Sequence, residues 1–434
     1  MRILSPLRHR QVALIWSALA FSAIGDQLNL VALSWVAVDA LGPAAGYISA
    51  AKAATVLITA LTAGSLADRW DRRGTMVGAD LCRCAILLVL VGAWLVGGRP
   101  HPVLLAVAVI VLAAGEAFFE PALQTVLPAL VKEPGLLLAT NALLDATDRL
   151  ARLLGPGLIA LAGAFIATVH IFTLDALSFL VSAAAIATLR SPGNRQAMTA
   201  AAERPMMSER AMKESLLRGF RAVRAEKILS YMLATGGIIN GVWYAVFFLA
   251  VPLVIADHLG ASGAAGLGAY GLVFSCYGCS NLAANLIVGS RRLPRRPAGQ
   301  MFAGALLTGS GIALMALACA PAVPQALRLP AFACAAAVAG VGGPLKDIPF
   351  VTLRQMLIPS ADMASAMRAY MIMSYSGLLV AMVLAPMACA GLGAVAVMLA
   401  GGAVYAAVAV IGWSRFAGPL DLSHAHAGNA PPGT

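Results

Sequence analysis

"GSLADRWDRRGTM", Gly64–Met76, is a short charged loop between two apolar runs. The runs cover about residues 43–66 and 75–97. Each is long enough to cross a bilayer as a helix, which takes roughly 20 apolar residues. The loop holds Arg69, Arg72 and Arg73, the residue type that marks loops on the cytoplasmic side of a membrane.

The same alternation continues in both directions. Of 434 residues, 60% are hydrophobic and 11% are charged, where a soluble globular protein has about 25% charged. Helical spans are expected at about 11–37, 43–66, 75–97, 103–128, 136–167, 169–190, 228–256, 262–288, 299–320, 327–357, 364–388 and 391–416. The predicted fold class is an all-α membrane protein with twelve transmembrane helices. The alternating strands of an outer-membrane barrel are absent. The short loops leave no room for a soluble catalytic domain, and no nucleophile–base constellation appears, so an enzyme is not expected. Arg2, Arg8 and Arg10 precede a span that runs past a signal-peptide core, so no cleavable leader is expected.

A net charge of +11 raises the question of nucleic acid, and its placement answers against it. Of 30 Lys and Arg, 23 fall at one set of helix ends, while only Arg99 and Arg328 lie at the other. That asymmetry is the positive-inside rule, and it puts both termini in the cytoplasm. All seven Cys lie in apolar segments and read as small packing residues, so no metal site and no cofactor are expected. No His falls in mid-span, which argues against a histidine proton relay.

Six spans precede a polar, basic stretch and six follow it. The expected organisation is a first bundle over 1–190, a cytoplasmic linker over 191–227, a second bundle over 228–417 and a disordered tail over 418–434. The linker closes on "ERAMKESLLRGFRAVRAEK", an amphipathic pattern suited to a membrane surface. "GSRRLPRRPAGQM", Gly289–Met301, is a weak second copy of the first loop. Two pseudo-symmetric six-helix bundles around a central site are a common build of secondary transporters.

"GSLADRWDRR" resembles the signature loop of the major facilitator superfamily, roughly G-x-L-A-D-R-x-G-R-R. Gly64, Leu66, Ala67, Asp68, Arg69, Arg72 and Arg73 match, and Asp71 replaces a glycine. The resemblance implies a conformational latch built from Gly64, Asp68, Arg69, Arg72 and Arg73, with Asp68 meeting the start of the eleventh helix. "GDQLNLVALSW" (Gly25–Trp35), "FFEPALQTVLPALV" (Phe118–Val131), "NALLDATDRLARLLGPG" (Asn141–Gly157) and "LDALSFLVSA" (Leu174–Ala183) resemble the branch of macrolide-efflux and enterobactin-type siderophore-exporter proteins. Gly155-Pro156-Gly157 is similar to the start of the antiporter motif G-P-x-x-G-G, without its second glycine pair. Gly155 and Pro156 are expected to let the fifth helix bend.

Charges inside spans usually face a cavity or a partner. Asp26 and Glu116 have no partner nearby in sequence and are the first proton-coupling candidates, with Glu120 one turn from Glu116. Asp145, Asp148, Arg149 and Arg152 share one stripe of the fifth helix. Asp145–Arg149 and Asp148–Arg152 are acid-first i,i+4 pairs, which either neutralise each other against a neighbour or face the cavity. Lys346 and Asp347, with Trp243 and Tyr244, are further cavity candidates; Phe247, Phe248, Tyr370 and Tyr375 either line it or pack. Asp80 and Arg83 read as support for the latch, and Lys52 and Asp175 as charges near the outer side.

A carboxyl in a dry cavity holds its proton more firmly, and a nearby cation loosens it. The expected function is a proton-coupled exporter of a small organic molecule, and the in-span Arg and Lys favour an amphoteric or carboxylate-bearing solute such as a siderophore. Multidrug efflux is the alternative and proton-coupled import a third reading. The expected partners are the substrate, protons and the lipid bilayer, with no nucleic acid, in a monomer of the bacterial inner membrane.

Overall fold

The computed structural model describes residues 5–67, 71–131, 133–162, 165–188, 209–291, 294, 296–416 and 418. The tail and most of the linker lie outside them. Among the described residues there are helices and no strands. The helices are α1 (Arg10–Leu41), α2 (Ala45–Ala67), α3 (Arg72–Gly97), α4 (Pro102–Leu130), α5 (Pro134–Ala162), α6 (Thr168–Ala187), α7 (Glu209–Ala225), α8 (Lys227–Ala245), α9 (Val251–Asp257), α10 (Gly263–Gly289), α11 (Pro297–Leu317), α12 (Gln325–Leu357), α13 (Ser360–Leu392) and α14 (Ala394–Phe416). Among the described residues, ten stretches are long and apolar enough to cross a membrane. One of them, Arg10–Thr59, contains both α1 and most of α2, and another, Lys227–Asp257, joins α8 and α9. The charges of α5 keep it out of that set. Leu88, Val89, Leu95, Val96, Leu384 and Met387 are exposed on these helices, as a surface solvated by lipid requires.

Local chemistry sets several boundaries. Asp71 precedes α3, and its carboxylate accepts a bond from the Gly74 N–H at 2.9 Å. This is an N-cap, satisfying one of the donors that a helix start leaves over. Pro102 and Pro297 open α4 and α11, where a missing N–H costs nothing. Between α8 and α9 the backbone widens into a π-helical turn at Val246–Ala250, all of it buried.

The chain forms two compact units, Met1–Met206 with Ser262–Gly271, and Met207–Ala261 with Leu272–Thr434. In the first, α1 packs on α5 and α6, and α3 on α4 and α6. The opening turns of α10 belong to this unit, where Tyr270 meets the ring of Trp35 at 6.3 Å. A core of Ile15, Met76, Phe119, Leu123, Leu127 and Ile186 joins α1, α3, α4 and α6.

In the second unit, α11 packs on α12 and α14, and α13 on α7 and α8. The helices α8 and α13 meet backbone to backbone. A Cβ on Gly241 would lie 2.5 Å from the Gly377 carbonyl oxygen and 2.7 Å from Ala381 Cβ. A Cβ on Gly237 would lie 2.5 Å from the Met373 carbonyl oxygen. Small residues four apart permit this approach. Gly241→Val is therefore expected to force α8 off α13 and to cost about 1–3 kcal/mol. Thermal unfolding of the detergent-purified variant checks it; an unchanged melting temperature would contradict the close contact. The amphipathic α7 keeps Lys213, Arg218, Arg221 and Arg224 exposed. Its Gly219 lies on the backbone of Ser365 and Ala366 at the start of α13.

Candidate functional site

The interior of the first unit is built around a buried ion pair. Asp80 and Arg83, one turn apart on α3, are bonded to each other with relative exposures of 0% and 5%. The Arg83 guanidinium lies 4.3 Å from the ring centre of Phe179 on α6 and 5.0 Å from that of Phe119 on α4. Away from water such cation–π contacts reach about 2 kcal/mol. Gly115 on α4 makes room, since a Cβ there would lie 2.8 Å from Arg83 Cγ. Asp80 and Arg83 were expected to support the latch; the latch residues Asp68 and Arg69 lie outside the described residues, so the structure places the pair in the core without testing that role. Spacing along α3 says which face they share, not that two aromatic helices close over that face.

Asp175 on α6 is the second buried charge, and it too belongs to the core rather than to an end of the bundle. It accepts bonds from Asn29 on α1, a very short contact, and from Ser178 Oγ at 3.3 Å. Gly25 allows α6 this close, because a Cβ there would meet Asp175 Oδ1 at 2.5 Å. Asp26 is the next residue along. Its side chain is exposed, and Asp175, Arg83, Glu116 and Lys52 are all in electrostatic reach.

Glu116 and Glu120 of α4 are exposed as well, and Glu120 accepts a bond from Gln124 Nε2 at 3.0 Å. The stripe of α5 lies near them: Asp148 is in electrostatic reach of Arg152, Glu120, Asp145 and Glu116. Asn141, Asp145, Asp148, Arg149 and Arg152 are all exposed, so the stripe is not packed against a neighbour within its unit. Of the two expected i,i+4 pairs, Arg149–Asp145 forms at 2.8 Å, with exposures of 72% and 61%. Asp148 and Arg152 form no close ion pair among the described residues, although Arg152 stays in electrostatic reach of Asp148, which also faces the like charges of Glu120 and Glu116. Trp16 Nε1 ties α1 to α5 by donating to Thr147 Oγ1 at 2.9 Å.

The latch is described in part. Gly64 lies in the last turns of α2, whereas Asp68 and Arg69 fall outside the described residues. Arg72 and Arg73 open α3 and are half-buried. The unusual Asp71 is the α3 cap. Around Gly155 and Pro156, α5 continues as helix. Gly155 also serves close packing: a Cβ there would meet Gln27 Cβ of α1 at 2.5 Å.

The second unit holds a cavity of about 700 Å³. Trp243, Lys346 and Asp347 line it, with Tyr277, Phe350, Tyr370, Tyr375 and Tyr405 and the thioethers of Met232, Met367 and Met371. Tyr244 does not line it. It stacks on Phe248 at 5.1 Å and edges onto Trp243 at 5.0 Å, because the helix turns that face towards packed aromatics. Phe247 and Phe248 are likewise buried. Trp243 Nε1 donates to Tyr277 Oη at 3.1 Å. The hydroxyls of Tyr370 and Tyr405 donate to the carbonyls of Leu229 and Ile239 at 3.1 and 3.0 Å. With those hydroxyls engaged in helix contacts, the lining presents chiefly ring and thioether surface.

Lys346 pairs with Asp347 beside it. Two further cations line the cavity, Arg354 of α12 and Arg368 of α13. Sequence reading assigned both to topology, since each falls at a cytoplasmic helix end. One signal was present: Arg354 lies two turns from Lys346–Asp347 on the same helix.

A family model described as Major Facilitator Superfamily matches residues 15–376. The multidrug efflux pump Tap of Mycobacterium tuberculosis is 34% identical over 191 residues, covering 42% of this chain and 44% of that protein. The multidrug efflux pump Tap of Mycolicibacterium fortuitum is 25% identical over 253 residues, covering 56% and 59%. The chain thus spans about half the length of the curated relatives it matches. Among solved structures, a POT family transporter in complex with a thioalcohol-conjugated peptide aligns with a TM-score of 0.64 at 12% identity, covering 94% of this chain and 96% of that one. A POT family transporter in complex with 5-aminolevulinic acid aligns at 0.63, also at 12% identity. At this identity the likeness is one of fold.

Proposed function

The chain belongs to the Major Facilitator Superfamily, and from that membership we propose that it is a proton-coupled multidrug exporter. It is a multi-pass membrane transporter and not an enzyme. The proposal places it in the bacterial inner membrane with both termini cytoplasmic, as the basic loops favour.

The observation that carries the drug reading is the lining of the second unit's cavity. Flexible thioethers beside aromatic faces adapt to many apolar shapes, which is the surface that promiscuous binding uses. About 700 Å³ is also the size of a site for drug-sized molecules. The matching relatives, named as multidrug efflux pumps, support the same reading. None of them supports the siderophore expectation, which rested on cations inside the spans. Two of those cations, Lys346 and Arg149, prove to be paired with neighbouring carboxylates.

Proton coupling falls to the acids of the first unit. A proton moving down the membrane potential supplies ~2.3 kcal/mol per 100 mV, enough to bias an alternating cycle. The test is expression in a bacterial host stripped of its own exporters. Lower steady-state accumulation of several chemically unrelated drugs is expected, and a protonophore should restore it. Accumulation equal to that of the empty-vector host would sink the proposal.

A further inference from the structure

We infer that the cavity of the second unit recognises an anionic group, a carboxylate or phosphate carried on an apolar body, and that Arg354 is the cation that docks it. The inference rests on the cavity being the substrate site proposed above, and it names the class of substrate.

Three cationic side chains and one carboxylate line the cavity. Lys346 is already neutralised by Asp347. Arg354 is different. Its side chain makes no hydrogen bond or ion pair among the described residues, and its Nε is buried without an acceptor. A guanidinium carries five donors, and leaving buried donors unmade is costly. A cation serving topology alone would extend its head into water. Here the head is held over two rings instead, 5.4 Å from the centre of Phe350 and 5.2 Å from that of Tyr370. These ring contacts hold the guanidinium at the cavity wall with its Nε unbonded. A carboxylate or phosphate meets the edge of a guanidinium with two parallel bonds. The neighbouring Met371 and Tyr375 then cover the apolar remainder of the same molecule.

Pyrenebutyrate and its methyl ester provide the probe pair, since they share one apolar body and differ in charge. Binding is measured by fluorescence anisotropy on the full chain in neutral detergent. The protein is expected to bind the acid about tenfold more tightly than the ester, the worth of one charge-assisted bond. Arg354→Gln should remove the preference while ester binding persists, which also shows that the variant is folded. Arg354→Lys should keep part of it, and it decides the matter if Arg354→Gln binds neither probe. Equal binding of acid and ester by the unaltered protein overturns the inference, as does a preference that survives both variants. Displacement of the acid by equimolar phosphatidylglycerol assigns Arg354 to a lipid headgroup and overturns it as well. A clear acid preference in a chain that pumps no drug would instead count against the function proposed above.

Discussion

Arg83→Met is expected to destabilise the protein by about 3–5 kcal/mol, the usual cost of removing one partner from a buried ion pair. The substitution leaves the wholly buried Asp80 without its counter-charge and strips both flanking rings of their cation. The Asp80→Leu, Arg83→Met double variant should recover most of that loss, because replacing a whole buried pair by apolar side chains is often neutral. Thermal unfolding in detergent gives the comparison. A single variant as stable as the unaltered protein, or a double variant no better than the single, would falsify the pair as a stabilising unit. Folding and function separate in the double variant. It also removes a cation in reach of Asp26 and Asp175, leaving Lys52 as the remaining cation near Asp26 among the named groups, so a folded but transport-impaired protein is expected.

Asp26→Asn is expected to abolish proton-driven transport while leaving substrate binding within about twofold, well below the tenfold that 1.4 kcal/mol would give. The side chain faces open space, with acids and bases of α2, α3, α4 and α6 around it. Such a carboxylate can exchange a proton with water on one side of a cycle and meet a cation on the other. Glu116→Gln, which alters one of the groups in its reach, should weaken the coupling too. Proteoliposomes with an imposed pH gradient measure this directly. Gradient-driven accumulation at the unaltered rate in Asp26→Asn would remove Asp26 from the coupling pathway.

How far the site was legible in the sequence differs between the two units. In the first, Asp26, Glu116 and Glu120 stood out as charges in apolar runs, and the structure exposes all three. Asp175 and Arg83 stood in equally apolar runs, but the sequence did not show what they bond to. Their neighbours, Asn29 and Phe179, are 146 and 96 positions away. In the second unit, the sequence could not separate Trp243, which lines this cavity, from Tyr244, because adjacent residues of an aromatic run look alike. One helical step of about 100° turns Tyr244 away from the cavity. The Gly237-x-x-x-Gly241 spacing was a readable signal for the α8–α13 contact, but only the opposing Gly377 shows that two backbones use it.

The sequence by itself determined that the chain is helical and membrane-spanning, the bias of its basic loops and the family. Each follows from hydropathy, length and short motifs, which add up along the chain without reference to distant residues. Tertiary structure alone decided what the charges do. It joined Asp80 and Arg83 between two aromatic rings, tied Asp175 to Asn29, left the α5 stripe unpacked and turned Arg354 from a topology signal into a cation aimed at a cavity. The energy of a charge away from bulk water depends on its few nearest partners, and folding, not sequence proximity, chooses them.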